Sequence, residues 1–159
     1  MLGGRQHAHD GNLQKTPYGY LVEPHFSIVI VTYNGLHHLQ RFLPSVLRSL
    51  GDGDEVIIAD NASTDGTAAW LAIHAPGVRH VMFETNHGYC GGNNRAAEVA
   101  GGDVLLFLNN DVRVEPGWLA PLRKAFTEAE TDAAQPKILA EREPGRFEYA
   151  GACGGYLDI

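Results

Sequence analysis

Short apolar runs alternate with stretches of helical spacing along most of the chain. Runs rich in β-branched residues are typical of strands covered on both faces, and they occur at 26–32, 55–59, 78–84 and 104–108. Between them, apolar residues at helical spacing predict helices over 36–50, 65–75, 91–100 and 116–128. A fifth strand is expected at 133–139. This alternation predicts one α/β domain: a mostly parallel sheet with helices on both faces and right-handed crossovers.

The first two predicted helices each contain a residue that bears on where the helix begins. Pro44 interrupts the first helix, which must either kink at this residue or begin near it. Ser63 or Thr64 is expected to cap the second helix, and this choice places Asp65 in the first turn, where a carboxylate is favourable.

Both ends of the chain lie outside the regular pattern. Residues 1–24 carry no hydrophobic periodicity and are expected to form a flexible leader, so that the domain occupies 25–159. From Ala140 the pattern becomes hard to follow, and the chain ends at Ile159 without a polar tail. We therefore expect the domain to be truncated in mid-structure at its carboxyl end.

Polar side chains follow each of the four main predicted strands. The four segments are Thr32-Tyr33-Asn34-Gly35, Asp60-Asn61-Ala62-Ser63, Asn86-His87-Gly88-Tyr89 and Asn109-Asn110-Asp111. In an open parallel sheet, ligands bind in the crevice outside the carboxyl ends of the strands. The sequence therefore predicts one binding site built from these four segments.

Asp60 has two readings that the sequence leaves open. In nucleotide-binding sheets, an acid at the end of the second strand commonly holds a ribose hydroxyl or a base N–H. Alternatively, Asp60 caps the following turn together with Ser63 and Thr64.

Two further features suit a bound diphosphate. The loop from Asn86 to Gly91 and Gly92 is rich in glycine and can bring backbone N–H groups against a phosphate, although an ordinary turn would look similar. Asp111 is the best candidate for a metal ligand, because Mg²⁺ and similar ions are held by one or two carboxylates, water and substrate phosphates. Asn109 can offer a carbonyl oxygen, or a donor to a sugar hydroxyl.

Charge and composition narrow the class of protein. A net charge of −7 argues against a nucleic-acid partner, because binding a phosphate backbone needs a basic face. The chain contains no apolar run close to the roughly 20 residues of a spanning helix, and its start lacks the apolar core of a signal peptide. Cys90 and Cys153 are too few for a disulfide framework and are expected to be reduced. These features indicate a cytoplasmic protein, with docking on a membrane surface left open.

Taken in order, four stretches resemble the successive motifs of the family 2 inverting glycosyltransferases, which have the GT-A fold. The stretches are SIVIVTYNG, VIIADNASTDGT, NHGYCGGNN and LLFLNNDV, and the resemblance covers roughly 26–122. The GGNN and N-x-D forms are similar to bacterial enzymes that build cell-surface polysaccharide, including rhamnosyltransferase-like members, and so is FEYAGACGGYLD. The fold that the resemblance implies is a GT-A, Rossmann-like sheet, here without its carboxyl-terminal part.

The resemblance implies a nucleotide-sugar site at the matching positions. Asp60 would contact the base or ribose, and Asp111 would bind Mn²⁺ or Mg²⁺, because 109–111 is the counterpart of the family's D-x-D motif. The metal would neutralise charge on the departing nucleotide. The full set of positions implied to bind the donor is Thr32, Tyr33, Asn34, Asp60, Asn86, Gly91, Gly92, Asn93, Asn109 and Asn110.

The chain departs from the family pattern in two ways. Asn109 replaces the first Asp of D-x-D, which either weakens metal binding or makes this position a sugar contact. The carboxylate that deprotonates the acceptor hydroxyl comes from an acidic motif in the second half of the family's domain, and it is expected beyond Ile159. We therefore expect a donor-binding portion that binds nucleotide but turns over poorly.

The expected function is transfer of a sugar, with inversion, from a UDP-, dTDP- or GDP-sugar to a hydroxyl of a glycan or lipid-linked acceptor. The expected location is the cytoplasm, with peripheral association at the inner face of the membrane left open. Two alternatives remain at this point. One is a non-catalytic module that binds nucleotide-sugars. The other is a sugar nucleotidyltransferase, although those enzymes usually carry a glycine-rich loop with Arg or Lys after the first strand, which Thr32-Tyr33-Asn34-Gly35 does not provide.

Overall fold

The computed structural model describes residues 23–128, 131–143 and 145–149. Most of the expected leader and Cys153 lie outside the described residues. The strands are β1 Phe26–Thr32, β2 Glu55–Asp60, β3 Arg79–Met82, β4 Val104–Phe107, β5 Ile138–Leu139 and β6 Phe147–Tyr149. The helices are α1 Leu36–Leu47, α2 Thr67–His74, α3 Gly88–Ala97 and α4 Leu119–Glu128. Within the described ranges, no helix has the length and apolar character needed to cross a membrane.

The main sheet has four parallel strands in the order β3-β2-β1-β4. β1 lies at its centre and pairs with β2 from Ser27 opposite Glu55 to Thr32 opposite Asp60. On its other side, Val29 lies opposite Phe107 near the end of β4. All four strands therefore end at the same edge of the sheet, which is called the carboxyl edge below. This confirms the predicted parallel α/β architecture.

β1 is buried on both faces, and alternate side chains along it belong to two separate clusters. On one face, Ile28 packs in a large cluster that includes Leu43 of α1 and Leu71 of α2. On the opposite face, Val29 packs in a smaller cluster with Ala96 of α3. Because buried apolar surface is the main favourable term in folding, this central strand holds the two helical layers together. The predicted helices on both faces of the sheet are confirmed.

Several helix boundaries differ from the predicted ones. Pro44 lies inside α1, so the alternative in which the helix begins near this residue is wrong. α2 begins two residues later than expected, since Gly66 precedes it with a φ of 89°, a left-handed conformation that excludes the preceding Asp65 from the helix. α3 begins at Gly88 rather than 91, and α4 begins at Leu119 rather than 116.

The fifth strand is shorter than predicted and belongs to a different sheet. Only Ile138–Leu139 of the expected 133–139 is a strand, and it pairs antiparallel with β6 in a two-stranded sheet. Pro136 gives a physical reason, because proline has no backbone N–H to donate to a neighbouring strand.

At the opposite edge of the sheet, one buried carboxylate joins three parts of the fold. Asp54 has no exposed side-chain surface. Its oxygens accept hydrogen bonds of 2.9 Å from the backbone N–H of Phe26, the first residue of β1, and from that of Gly51 in the preceding turn. The guanidinium of Arg123 on α4 bonds to both oxygens at 3.0 and 2.8 Å. Asp54 therefore fixes the start of β1 against α4.

Asp54→Ala is expected to lower the free energy of unfolding by about 3 kcal/mol, because it leaves a partly buried guanidinium and two backbone N–H groups without their acceptor. Urea denaturation followed by circular dichroism measures the change. Asp52→Ala, in the exposed turn beside it, is the matched control and should stay within about 0.5 kcal/mol of the wild type. A loss below about 1 kcal/mol for Asp54→Ala would contradict this role.

Candidate functional site

The segments that follow β1 and β4 meet at the carboxyl edge. Thr32 is buried at the end of β1, and its hydroxyl accepts a hydrogen bond of 3.2 Å from the side-chain amide of Asn110. Gly35 lies directly against this pair: a Cβ at this position would come within 2.5 Å of the Thr32 hydroxyl oxygen and 2.6 Å of the Asn110 amide nitrogen. A side chain at residue 35 would therefore force the two segments apart.

The segments that follow β1 and β2 are tied together by Asn34. Its backbone N–H donates to the hydroxyl of Ser63 at 2.9 Å, and its side-chain oxygen accepts from the backbone N–H of Thr64 at 2.8 Å. Asn34 has a φ of 49°, in the left-handed region that asparagine tolerates better than most residues. The hydroxyl of Ser63 and the backbone N–H of Thr64 are thus used between loops.

Asp65 caps two helices at once. One carboxylate oxygen accepts the backbone N–H of Leu36, the first residue of α1, at 2.9 Å. The other accepts the backbone N–H and the hydroxyl of Thr67, the first residue of α2, at 3.2 and 2.6 Å. Neither Ser63 nor Thr64 caps α2 through its side chain, so that expectation is wrong. Because unpaired N–H groups give a helix N-terminus a partial positive charge, the carboxylate stabilises both helix starts.

These hydrogen bonds also affect the protonation of Asp65. Burial acts to raise the pKa of its carboxyl, but the bonds from the Thr67 hydroxyl and from the backbone N–H groups of Leu36 and Thr67 outweigh this effect. The pKa of Asp65 therefore lies below its ordinary value of 3.8.

Asp60 lies at the end of β2 with its side chain entirely buried. One carboxylate oxygen accepts the backbone N–H of Ser63 at 2.8 Å, so the turn-capping reading of Asp60 is observed. The other oxygen lies 3.2 Å from Nε2 of His80 on β3. Sequence reasoning missed His80, although a histidine within an apolar strand was the available signal.

The loop that precedes α3 is held by Asn61, which sequence reasoning did not single out. Asn61 is buried, its side-chain amide donates to the carbonyl of Gly88 at 3.1 Å, and its side-chain oxygen accepts the backbone N–H of His87 at 3.2 Å. Asn86 forms a tight turn by accepting the backbone N–H of Gly88 at 2.8 Å. A Cβ on Gly92 would lie 3.1 Å from the amide nitrogen of Asn61, so Gly92 permits the close approach of α3 to the sheet.

Other predicted site residues offer groups that make no hydrogen bond with the described part of the protein. Asn93 on α3 is buried, and its side-chain oxygen has no hydrogen-bond partner in the described part of the chain. Tyr33 is 55% exposed beside the site. Asn109 and Asp111 are exposed after β4. Among the described residues, no group of three or more His, Cys, Asp or Glu side chains is arranged to hold a metal ion.

The carboxyl edge therefore presents acceptor groups from several loops that are fixed to one another. This arrangement can bind a ligand with many donor groups, such as a sugar or a nucleoside, and its exposed carboxylate can share a divalent cation with a phosphate.

Comparison with known proteins places this geometry in a family. The family model "Glycosyl transferase family 2" matches residues 27–151. The chain belongs to this family. The match includes all four segments at the carboxyl edge, so the resemblance of the motifs is confirmed.

Curated relatives of this glycosyltransferase family 2 chain include mycobacterial proteins. A PGL/p-HBAD biosynthesis glycosyltransferase of Mycobacterium bovis is 31% identical over 81% of this chain and 47% of its own length. The N-acetylglucosaminyl-diphospho-decaprenol L-rhamnosyltransferase of Mycobacterium tuberculosis is 35% identical over 62% of this chain and 36% of its own length. The chain spans between about a third and a half of the length of the curated relatives it matches.

Solved structures show the same fold. S. aureus TarS 1-349 in complex with UDP-GlcNAc matches with a TM-score of 0.57 and 25% identity, over 62% of this chain and 30% of the other. The mannosyltransferase PcManGT from Pyrobaculum calidifontis, in complex with GDP-Man and Mn²⁺, matches with a TM-score of 0.57 and 22% identity, over 74% of this chain and 34% of the other. The family 2 chain therefore has the GT-A fold, here with a main sheet of four strands.

The shared cap at Asp65 leads to a pH-dependent prediction. A carboxyl whose pKa is lower in the folded state contributes stability above its unfolded value of about 3.9, and this contribution is lost as the pH falls through the folded value. Asp65→Asn should therefore lower the free energy of unfolding at neutral pH, and the difference from the wild type should shrink below about pH 4.

Urea denaturation of both proteins across this pH range measures the difference directly. Asp52→Asn, which changes a carboxylate in an exposed turn, serves as the control and should show little difference at any pH. A difference for Asp65→Asn that stays constant down to low pH would contradict the shared cap.

Proposed function

We propose that the chain is the donor-binding part of an inverting glycosyltransferase. The whole protein would transfer a sugar from a nucleoside-diphosphate sugar to an acceptor hydroxyl during synthesis of a bacterial cell-surface glycan or glycolipid. One observation carries this proposal: four loops of a family 2 domain meet at the carboxyl edge. Some of the polar groups there bond to one another, and others have no hydrogen-bond partner among the described residues.

The relatives and neighbours support the chemical class of the ligands. The TarS structure contains UDP-GlcNAc, and the PcManGT structure contains GDP-Man and Mn²⁺. One mycobacterial relative is named a PGL/p-HBAD biosynthesis glycosyltransferase, and another is named an N-acetylglucosaminyl-diphospho-decaprenol L-rhamnosyltransferase. A nucleoside-diphosphate sugar is therefore the proposed donor, and a glycan or lipid-linked sugar is the proposed acceptor. We also propose a cytoplasmic location with peripheral contact at the membrane, where a lipid-linked acceptor would be reached.

We assign the donor's parts to the loops by their chemistry. The exposed ring of Tyr33 and the carboxylate of Asp60 suit the base and ribose, since an aromatic ring stacks on a base and a carboxylate accepts its N–H groups. The loop of Asn86 leads into the N-terminus of α3, where backbone N–H groups favour a phosphate. Asn109 and its neighbour Asn110 suit the hydroxyls of the sugar.

Asp111 fits a divalent cation that is shared with the donor. Its carboxylate is exposed after β4, and Asn109 and Asn110 directly precede it in the chain. Mg²⁺ and Mn²⁺ prefer oxygen ligands, and one protein carboxylate with waters and a diphosphate can complete their coordination. Such a cation, when bound, supplies charge neutralisation on the diphosphate.

We assign the catalytic base to no described residue. Glu141 bonds to Arg41 at 2.8 Å, and Glu143 lies 3.4 Å from Arg146, so both carboxylates are engaged with cations. A base that takes the proton of the acceptor hydroxyl must lie within hydrogen-bond reach of it, and we place this group in a segment that follows Ile159 in the whole protein. The 159-residue chain should therefore bind nucleotide but transfer sugar slowly. In binding nucleotide with little or no transfer, it would behave like a purely binding module.

Metal-dependent nucleotide binding tests the proposal. UDP, dTDP and GDP are each added with Mn²⁺ or with EDTA, and thermal unfolding is recorded. A ligand at 100 times its Kd stabilises the folded state by about 2.7 kcal/mol, so one nucleotide should raise the Tm with Mn²⁺ and much less with EDTA. Asp111→Asn should lose most of this difference.

Glu98→Gln, an exposed residue just after α3, is the matched control and should keep the metal-dependent shift. If no nucleotide raises the Tm of the wild-type chain or of the whole protein, the proposed function is wrong. If the shift is equal with EDTA, or unchanged in Asp111→Asn, the assignment of the metal to Asp111 is wrong.

A further inference from the structure

The carboxylate of Asp60 is enclosed by the protein. Its side chain has no exposed surface, and each oxygen carries a hydrogen bond from a protein group, namely the Ser63 backbone N–H and Nε2 of His80. A base or ribose donor of the kind proposed above must come within about 3 Å of a carboxylate oxygen, and neither oxygen of Asp60 is open to solvent. One of the groups that cover Asp60 must therefore move before a nucleotide can bond to it.

The two covering groups differ in how firmly they are held. The hydroxyl of Ser63 accepts a hydrogen bond from the backbone N–H of Asn34, in the segment that follows β1. Moving the Ser63 backbone N–H away from Asp60 would therefore break the contact between two loops. His80 lies on β3, an edge strand of the main sheet, and its side chain is 22% exposed. In the described part of the chain, the side chain of His80 has no hydrogen bond or ion pair besides the one with Asp60. The imidazole is therefore the group that can be exchanged.

The other titratable groups around β3 are engaged elsewhere. On β2, Glu55 bonds to the Ser27 hydroxyl at 2.7 Å and lies 3.5 Å from Arg79, the first residue of β3. On α2, Nδ1 of His74 lies 3.1 Å from the carbonyl of Trp70. Among these groups, Asp60 is the one bonded to His80. A change in the charge of His80 should therefore act mainly on Asp60.

We propose that His80 competes with the nucleotide for the carboxylate of Asp60, so that a base N–H or ribose hydroxyl takes the place of its Nε2–H on binding. This inference rests on the proposed function, because it concerns the nucleotide site of the same domain. A carboxylate only accepts hydrogen bonds, so Nε2 carries the proton in the observed contact. The exchange replaces one donor by another and leaves the bond from Ser63 in place.

The competition has a definite pH dependence. An imidazolium bonds to a carboxylate more strongly than a neutral imidazole does. Displacing His80 therefore costs more free energy at low pH. Nucleotide affinity should fall as the pH is lowered, and this fall should depend on the presence of residue His80.

The experiment compares the wild-type chain with His80→Ala, His80→Gln and Asp60→Asn. Binding of UDP, dTDP and GDP with Mn²⁺ is measured by titration calorimetry at about pH 8 and about pH 5.5. His80→Ala removes the competitor and should tighten binding about threefold to tenfold, the range expected for one hydrogen bond. His80→Gln keeps a neutral donor, so its affinity should stay near the wild-type value at pH 8 without the extra loss at low pH. Asp60→Asn should bind at least tenfold more weakly.

The nucleotide's own phosphates also change protonation with pH. Comparing the proteins at the same pH cancels the effect of this change on affinity, because it is common to all of them. Circular dichroism and thermal unfolding confirm that each variant is folded before its affinity is interpreted.

The outcomes separate this inference from the proposed function. Weaker binding by both His80 variants would overturn the competition and make His80 a residue that supports the site. Unchanged binding by Asp60→Asn would overturn it as well, because the nucleotide would then not use this carboxylate. In both cases the proposed function stands, since the wild-type chain still binds. Absence of binding by the wild-type chain and by every variant would contradict the proposed function and this inference together.

Discussion

The parallel register between β1 and β2 is the constraint on which the site depends. It places Thr32 opposite Asp60 as the last pair of the two strands, so the loops that follow leave the sheet at the same level. Because β1 is buried on both faces and shared by two clusters, a shift of one residue would exchange the side chains that pack in the two clusters. The packing of the core therefore fixes the position of the polar loops, although no core side chain belongs to them.

The polar groups at the carboxyl edge divide into two classes. Asn34, Asn61 and Asp65 use their side chains to join one loop to another or to a helix start. The exposed carboxylate of Asp111 and the unpaired oxygen of Asn93 are not used in this way within the described residues. The first class fixes the loops to one another, which lowers the entropy that a bound nucleotide would have to offset.

Local patterns predict part of this arrangement and miss the rest for a physical reason. The apolar runs predict all four strands of the main sheet and the edge at which ligands bind, because burial and strand polarity are properties of single segments. The double cap by Asp65 and the contact between Asp60 and His80 join residues of different elements, and no spacing in the sequence encodes them. The helix starts were missed where a glycine conformation decided them, as Gly66 does for α2. The binding roles of the predicted site residues remain predictions.

The charge of the four segments bears on how a diphosphate could bind at all. None of 32–35, 60–63, 86–89 and 109–111 contains Lys or Arg, whereas Asp60 and Asp111 both lie within them. A bare diphosphate would be repelled by the exposed carboxylate of Asp111, and backbone N–H groups at the start of α3 offset only a fraction of a charge. In the proposed site, a divalent cation held by Asp111 and the phosphates would turn this repulsion into attraction. The acidic residue that would weaken binding of the nucleotide alone would then favour binding of the nucleotide together with a metal.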